Sequence, residues 1–463
     1  MLFNSLEFLL FFPIVTAVYY LLPHKIRHIW LLAASYYFYM QWSAVHLLLL
    51  IFSTVVTYAS GILMEKAGGD IKLKQLCVLG SFTINLFILF VFKYADMLPG
   101  VSLNLVSVVG ISFYTFQALS YTADVYRGDI KAEHDFFMYA LFVSFFPQLV
   151  AGPIEKSRDL LPQLKKEHKF DYDNAREGLY LMLWGYFIKL CIADRAAVIV
   201  DSVYNNLDSY KGYYLILASV LFAVQIYCDF AGYSIIALGC AKIIGFKLTE
   251  NFDAPYLLRT VSDFWRRWHI SLTSWFREYL YFPLGGSRKG FARKLINIMI
   301  VFLVSGLWHG AAIHFVIWGG LNGLYQVVEN LIGVNSKKKV SPFIGAVGGV
   351  VTFVLVDAAW VFFRASSTSD ALKVFANTFA RAQGEGLLSL GLSKAEIIAL
   401  LISIGILVVT DIAKRRGKNI RSKLLSLNPV LSAFVLAIIV SAILLFGVWG
   451  VGFDQAAFIY FQF

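Results

Sequence analysis

Runs of apolar residues broken by short polar stretches repeat along nearly the whole chain. A helix needs about 20 apolar residues to cross the hydrocarbon of a bilayer. Windows near that length fall at 6–22, 28–42, 44–64, 74–95, 105–126, 178–204, 213–245, 295–312, 314–333, 342–362, 394–413 and 428–448, with 213–245 long enough to be bent or split. The pattern predicts an all-α polytopic membrane protein of about 11–12 transmembrane helices.

Two stretches break the rhythm. Phe136 to Pro153 is apolar but flanked by charge, and it carries Phe145-Phe146-Pro147 and Gly152-Pro153. A proline-broken apolar segment of this kind predicts a re-entrant or interfacial piece buried against protein. The stretch 247–294 is too polar to span. Its Trp265, Trp268, Leu272 and Trp275 recur at spacings of three and four, with Arg266 and Arg267 beside them, which predicts an amphipathic helix at the cytoplasmic interface.

Composition sharpens the picture. Of 463 residues, 59% are apolar or aromatic and 15% are charged, against about 25% charged in soluble domains. So little charge excludes a chain of soluble domains and a disordered one. The four cysteines, Cys77, Cys191, Cys228 and Cys240, all sit in apolar segments, so neither a disulfide framework nor a metal-ligand spacing is read. The first segment, from Leu6, has no basic residue before it and predicts a retained helix, not a cleaved leader.

The net charge of +11 describes topology and lipid headgroups, not a nucleic-acid partner. With the loop of Lys25 and Arg27 inside, the inner stretches hold 31 of the 40 basic residues. Both termini then face outward, and the chain divides into a membrane domain, 1–450, and an outer tail, 451–463.

Eight histidines are present. His24, His28, His46, His134 and His168 lie in or near loops or segment ends, where solvated histidines are expected. His309 closes the apolar run from Leu295, inside Ser305-Gly306-Leu307-Trp308-His309-Gly310. An ionisable side chain within the membrane is a functional candidate, and a neutral imidazole suits a general base. The alternative is a packing histidine bonded to a backbone carbonyl. His314, five residues on, reads as an interfacial loop histidine. His269 belongs to the amphipathic stretch, where Arg266, Arg267, Arg277, Arg288 and Lys289 offer cations to the phosphates of an anionic donor; the plainer reading is an interfacial helix with snorkelling arginines. Asp124, Lys189, Asp194, Arg195, Asp229, Glu329 and Asp357 are further charges in apolar surroundings, expected to pair structurally. No phosphate loop, Ser-His-Asp order or zinc signature occurs.

Asp263-Phe264-Trp265-Arg266-Arg267-Trp268-His269-Ile270-Ser271, Arg277-Glu278-Tyr279-Leu280-Tyr281-Phe282-Pro283-Leu284-Gly285-Gly286 and Leu307-Trp308-His309-Gly310-Ala311 resemble the membrane-bound O-acyltransferase family, and within it the bacterial alginate O-acetyltransferase branch. Phe146-Pro147-Gln148-Leu149-Val150-Ala151-Gly152-Pro153-Ile154, Tyr227-Cys228-Asp229-Phe230-Ala231-Gly232-Tyr233-Ser234 and Trp360-Val361-Phe362-Phe363-Arg364-Ala365 match the same branch. The resemblance implies a ring of helices around a thin central funnel. It gives His309 the place of the catalytic histidine and His269 that of the second, cytoplasmic-side histidine. It also implies no permanently bound cofactor, acetyl-CoA as donor substrate, a glycan acceptor outside, and an extracellular or periplasmic serine O-acyltransferase that finishes the transfer.

Transmembrane O-acyl transfer is therefore the leading expectation. A transporter or flippase of a glycan or acyl donor would favour repeats and paired broken helices, and no such symmetry is seen. A scaffold that only recruits the outer transferase leaves His309 unexplained. The last residues, Phe458-Ile459-Tyr460-Phe461-Gln462-Phe463, form a Phe-x-Tyr-x-x-Phe pattern. It reads as an interfacial aromatic anchor. It also resembles the C-terminal motif of the small peptide that partners the D-alanylation member of the family, which makes Tyr460 a candidate acyl carrier.

Overall fold

The computed structural model describes residues 1–95, 108–150, 152–334, 340–384, 386–418 and 420–448. Tyr460 and the rest of the tail lie outside these residues. Among the described residues six helices are long and apolar enough to cross a membrane: Ala44–Lys66, Ile71–Tyr94, Tyr213–Ile244, Phe291–His309, Pro342–Arg364 and Lys394–Arg415. Two shorter apolar helices, Leu6–Leu21 and Val430–Phe446, flank them in sequence. No strand occurs among the described residues; Lys211 and Gln383 form one isolated antiparallel bridge. The chain is an all-α polytopic membrane protein. Window 213–245 is one unbroken helix of 32 residues. Window 178–204 divides into the end of Tyr172–Tyr186, a π-helical segment Phe187–Ala193 and the helix Asp194–Tyr204.

The described chain clusters into two units, one of Met1–Met182 with Tyr233–Glu250, the other of Leu183–Gly232 with the described residues from Asn251 on. In the first, side chains set where helices begin. Ser43 accepts from the His46 amide, Asp70 from Leu73, and Asp135 from both Phe137 and Met138, supplying acceptors to amides that a helix leaves unpaired. Every residue from Ile111 to Asp124 is buried. The apolar segment that starts at Phe136 is broken, as Phe136–Ser144 followed by Phe146–Leu149. The break frees carbonyls, and the Phe142 oxygen accepts from Gln117 Nε2 at 2.5 Å and Gln148 Nε2 at 2.9 Å. Irregular backbone survives away from water only where protein satisfies it.

Two histidines in this unit are not solvated. His46 lies buried on its helix, and half-buried His168 pairs its Nε2 with the Gln163 carbonyl at 2.8 Å. Glu155 is buried as well. Its Oε1 accepts from the Thr249 amide at 2.5 Å and its Oε2 from the Thr249 hydroxyl at 3.3 Å. Burial nonetheless outweighs these bonds and raises the carboxyl pKa to about 7.

In the second unit several of the charges expected to pair find partners, whereas buried Arg195 leaves its Nε and Nη1 without a hydrogen-bond partner among the described residues. Lys189 on the π-helical segment reaches Asp194 and Asp229, each at 2.6 Å. Ser219 donates to Asp357 at 2.5 Å. Glu329 accepts from the amides of Val261 and Ser262 and from the Ser262 hydroxyl, so it caps the helix Val261–Arg267. Helices Phe291–His309 and Ile313–Leu331 are joined by a three-residue turn and lie against each other. Small residues let the backbones meet. A Cβ on Gly306 would stand 2.4 Å from the Phe315 carbonyl oxygen, and one on Gly319 would stand 2.3 Å from that of Phe302. Close approach at small residues is how helices associate where lipid supplies no hydrophobic drive.

The amphipathic helix expected within 247–294 from Trp265, Trp268, Leu272 and Trp275 is not one continuous helix. Helix Val261–Arg267 stops, Trp268 is extended, His269 is left-handed at φ 44° and ψ 56°, and a new helix runs Ile270–Phe276. Asn251 causes the break, since its carbonyl accepts from the Ile270 amide at 3.0 Å and its side-chain oxygen from the Ser271 amide at 3.2 Å. The Asp253 amide meanwhile donates to the Arg267 carbonyl at 3.1 Å. Nor do Trp265, Trp268, Leu272 and Trp275 form a surface belt, because all four are buried.

Candidate active site

His309 is the last residue of its helix, 4% exposed, and the chain leaves it through Gly310 in extended backbone. Because the neighbouring helix lies so close, Trp318 reaches the imidazole, with ring centroids 4.9 Å apart at 85°. Phe363, near the end of helix Pro342–Arg364, meets the same ring at 5.3 Å and 74°. Trp308 adds a third contact at 4.8 Å. Further rings hold these in place. Trp360 stacks on Trp318 at 5.6 Å, and Trp265 meets Trp318 edge-on at 5.6 Å. The polar edges of the outer rings are satisfied, as buried indole N–H groups usually are. Trp265 Nε1 donates to Asn322 Oδ1 at 3.0 Å, and Trp360 Nε1 donates to the Tyr256 hydroxyl at 3.1 Å.

His269 enters the same neighbourhood from the break. It is 1% exposed, packs against Phe230 at 4.6 Å and lies 6.3 Å from the Trp308 ring. Trp308 thus touches both histidines, one on its own helix and one from the loop that Asn251 organises. Burial lowers the His269 pKa to about 3, so this imidazole is neutral at physiological pH. Its φ is one of two positive values at non-glycine residues among the described residues, the other being Ala254. Left-handed backbone is uncommon outside glycine, though histidine adopts it more readily than most.

The basic residues expected to hold donor phosphates separate into two kinds. Arg266 pairs with Asp263 at 2.9 Å, and half-buried Arg267 pairs with Asp253, which Lys414 also approaches at 3.2 Å. Arg277, Arg288 and Lys289 are exposed. His314 is not an interfacial loop residue. It is buried on its helix, and its Nδ1 donates to the Phe362 carbonyl at 2.9 Å, beside the Phe363 that faces His309. Among the described residues no group of three or more His, Cys, Asp or Glu side chains is arranged to hold a metal. Sequence reasoning missed the ring-on-ring setting of His309. Trp308 and Trp318 stand in apolar runs far from Lys, Arg, Asp and Glu, while Trp360 lies between Asp357 and Arg364 on a spanning helix.

The fold and the site together define a polytopic helical membrane protein with an imidazole enclosed by aromatic rings at the end of a spanning helix. Residues 31–367 match the model of MBOAT, the membrane-bound O-acyltransferase family. The chain is 36% identical over 395 residues to a probable alginate O-acetylase of Pseudomonas aeruginosa, covering 82% of this chain and 75% of that one. It is 33% identical over 419 residues to a peptidoglycan O-acetyltransferase of Helicobacter pylori, covering 81% and 79%. With a teichoic acid D-alanyltransferase of Bacillus subtilis it shares 28% identity over 253 residues, or 51% of this chain and 62% of the relative. The protein belongs to the membrane-bound O-acyltransferase family and is an O-acyltransferase.

Proposed function

We propose that this O-acyltransferase takes an acetyl group from acetyl-CoA on the cytoplasmic side of the bacterial cell membrane and delivers it to an extracytoplasmic cell-wall or exopolysaccharide glycan. Relatives named for O-acetylation of alginate and of peptidoglycan support the acetyl group and the polymer acceptor. The observation that carries the reading is the setting of His309, an imidazole 4% exposed and enclosed by Trp308, Trp318 and Phe363 at the end of a spanning helix.

In the proposed reaction His309 accepts the proton of an acceptor hydroxyl while that oxygen attacks the thioester carbonyl. The new C–O bond forms, the C–S bond breaks, and the proton passes from the imidazolium to the departing thiolate as CoA thiol. His269, neutral and joined to the site through Trp308, serves to position the donor arm. Exposed Arg277, Arg288 and Lys289 are available to phosphates as they stand, whereas Arg266 and Arg267 would have to share themselves with Asp263 and Asp253.

The first acceptor in this scheme is Tyr460 of the outer tail. Its phenolic oxygen takes the acetyl group as an aryl ester. A serine hydroxyl of an extracellular or periplasmic serine O-acyltransferase then attacks that ester, regenerating the phenol and carrying the acetyl group on to the glycan. Phenol, with a pKa of about 10, is a good leaving group, and covalent relay divides one long transfer into two short ones.

Purified His309→Ala protein tests the core of the scheme. General-base catalysis contributes about 10²–10⁴-fold, so release of CoA thiol from acetyl-CoA in the presence of acceptor should fall at least about 100-fold with the fold intact. Undiminished thiol release would refute the role of His309, and a wild-type protein that never consumes acetyl-CoA would refute this donor.

A further inference from the structure

A groove of about 660 Å³ opens in the second unit where the segment 256–263, the start of helix Pro342–Arg364 and the end of helix Lys394–Arg415 come together. Two guanidinium groups, Arg259 and Arg415, line it. The one acid on its wall, Asp263, is paired with Arg266 at 2.9 Å. Apart from Tyr256 the remaining walls carry no polar side chain, with Leu257, Val350 and Phe353 among them. Val350 lies on a helix flank that also exposes Val347, Val351 and Val354, as a bilayer-facing surface does. Glycines shape the groove. A Cβ on Gly348 would collide with the stem of Arg259 at 2.7 Å, so glycine there lets the arginine lie on the helix. A Cβ on Gly345 would meet nothing nearer than Val340, at 4.0 Å, which leaves the groove floor empty of side chain.

We propose that this groove is a binding site for an anionic phospholipid, with the phosphodiester held by Arg259 and Arg415 and an acyl chain laid along Leu257, Val350 and Phe353. Guanidinium groups match phosphate oxygens in geometry as well as charge. Basic pockets between spanning helices are the places where anionic headgroups are recognised. A nucleotide-bearing donor fits the groove poorly. Its adenine and ribose need hydrogen-bonding partners, and the polar lining left over is Asp263 and Tyr256. The Tyr256 hydroxyl already accepts from Trp360 Nε1 at 3.1 Å and donates to the Ala223 carbonyl at 2.8 Å. A singly charged phosphodiester with a hydrocarbon tail asks only for what the groove offers. The proposal does not depend on the acyl-transfer reading.

Native mass spectrometry of the full chain, released from nanodiscs of phosphatidylcholine doped with phosphatidylglycerol, tests the proposal by counting retained lipid. The wild type should retain phosphatidylglycerol in preference to phosphatidylcholine. Arg259→Gln combined with Arg415→Gln should lower that preference about tenfold, the effect of roughly 1.4 kcal/mol. Gly345→Leu keeps both arginines, fills the floor and should also reduce retention, which covers the case in which the double variant fails to fold. Lys72→Gln removes an exposed charge elsewhere and should change nothing. Equal retention by wild type and double variant, unchanged retention in Gly345→Leu, an equal loss in Lys72→Gln, or displacement of the lipid by acetyl-CoA would each overturn the assignment.

Discussion

The imidazole of His309 and the indole of Trp318 meet edge to face, 4.9 Å between centroids and 85° between planes. This contact fixes the plane of the ring through its π-system. The proposed general-base role asks one ring nitrogen to lie within hydrogen-bond reach of a reacting hydroxyl, and packing against Trp318, Phe363 and Trp308 narrows the orientations the imidazole can adopt.

That packing depends on two glycines. A Cβ at Gly319 would stand 2.3 Å from the Phe302 oxygen, whereas at the neighbouring Gly320 the nearest atom would be Leu303 Cδ2 at 3.6 Å. Gly319→Ala is expected to force the helices apart, destabilise the protein by about 1–3 kcal/mol and lower acyl transfer by moving Trp318 off His309. Gly320→Ala is expected to be neutral or slightly stabilising, since alanine favours a helix over glycine by about 0.5–1 kcal/mol. Thermal unfolding of the two variants side by side checks the contrast.

His269 combines a left-handed backbone with a buried neutral ring. Replacement by glycine relieves the backbone while replacement by alanine does not, so His269→Gly should be the more stable of the two by roughly 1–2 kcal/mol. Both should weaken use of acetyl-CoA, raising KM more than they lower kcat. In the folded wild type, with this pKa near 3, the apparent KM should show no titration of His269 between pH 5 and 8. The depressed value also means that the stability contributed by this neutral histidine is present above pH 6.5 and declines as the pH falls from there toward 3. An unchanged KM in both variants would leave His269 a packing residue.

Glu155 has the opposite sign. Its folded pKa, raised to about 7, exceeds the ordinary carboxylate value of 4.5. The unfolded chain therefore releases this proton first. Stability from the group is complete below pH 4.5 and is lost as the pH rises through 7, at no more than about 1.4 kcal/mol per pH unit. Glu155→Gln keeps an acceptor for the Thr249 amide and removes the titration. Denaturant unfolding in detergent between pH 5 and 8 should show a flatter dependence for the variant than for the wild type.

Tyr460→Phe keeps the ring and removes the nucleophile. Under the relay it should abolish glycan O-acetylation while membrane insertion and protein level stay normal, and an acetyl adduct of 42 Da, the mass of C₂H₂O, should disappear from the C-terminal peptide. Normal O-acetylation in cells carrying only this variant would make the tail an anchor.

Hydropathy makes the spanning helices legible because a bilayer offers no water to exposed backbone, so the apolar runs and the helices largely coincide, as at 44–64 with Ala44–Lys66. His309 is legible for the same reason, as a polar side chain where polarity is expensive. The break at His269 is not. Trp268, Ile270 and Ser271 are ordinary helix residues by propensity, and their helix is interrupted by Asn251, whose two acceptors lie 19 and 20 positions upstream of the amides they take. The rings around His309 are hidden for a similar reason, since Phe363 reaches it from 54 residues away through the packing of separate helices.

Gly306 and Gly319 face each other at the seam of the two helices, where a Cβ on Gly319 would stand 3.1 Å from the Gly306 Cα. Doors made of side chains open by rotamer flips in picoseconds to nanoseconds, whereas moving whole helices takes microseconds or longer. Where two glycine backbones touch there is no side chain to swing aside, so the seam between these helices behaves as a welded joint. An opening along this seam therefore requires the helices themselves to move, on the slower of those two timescales.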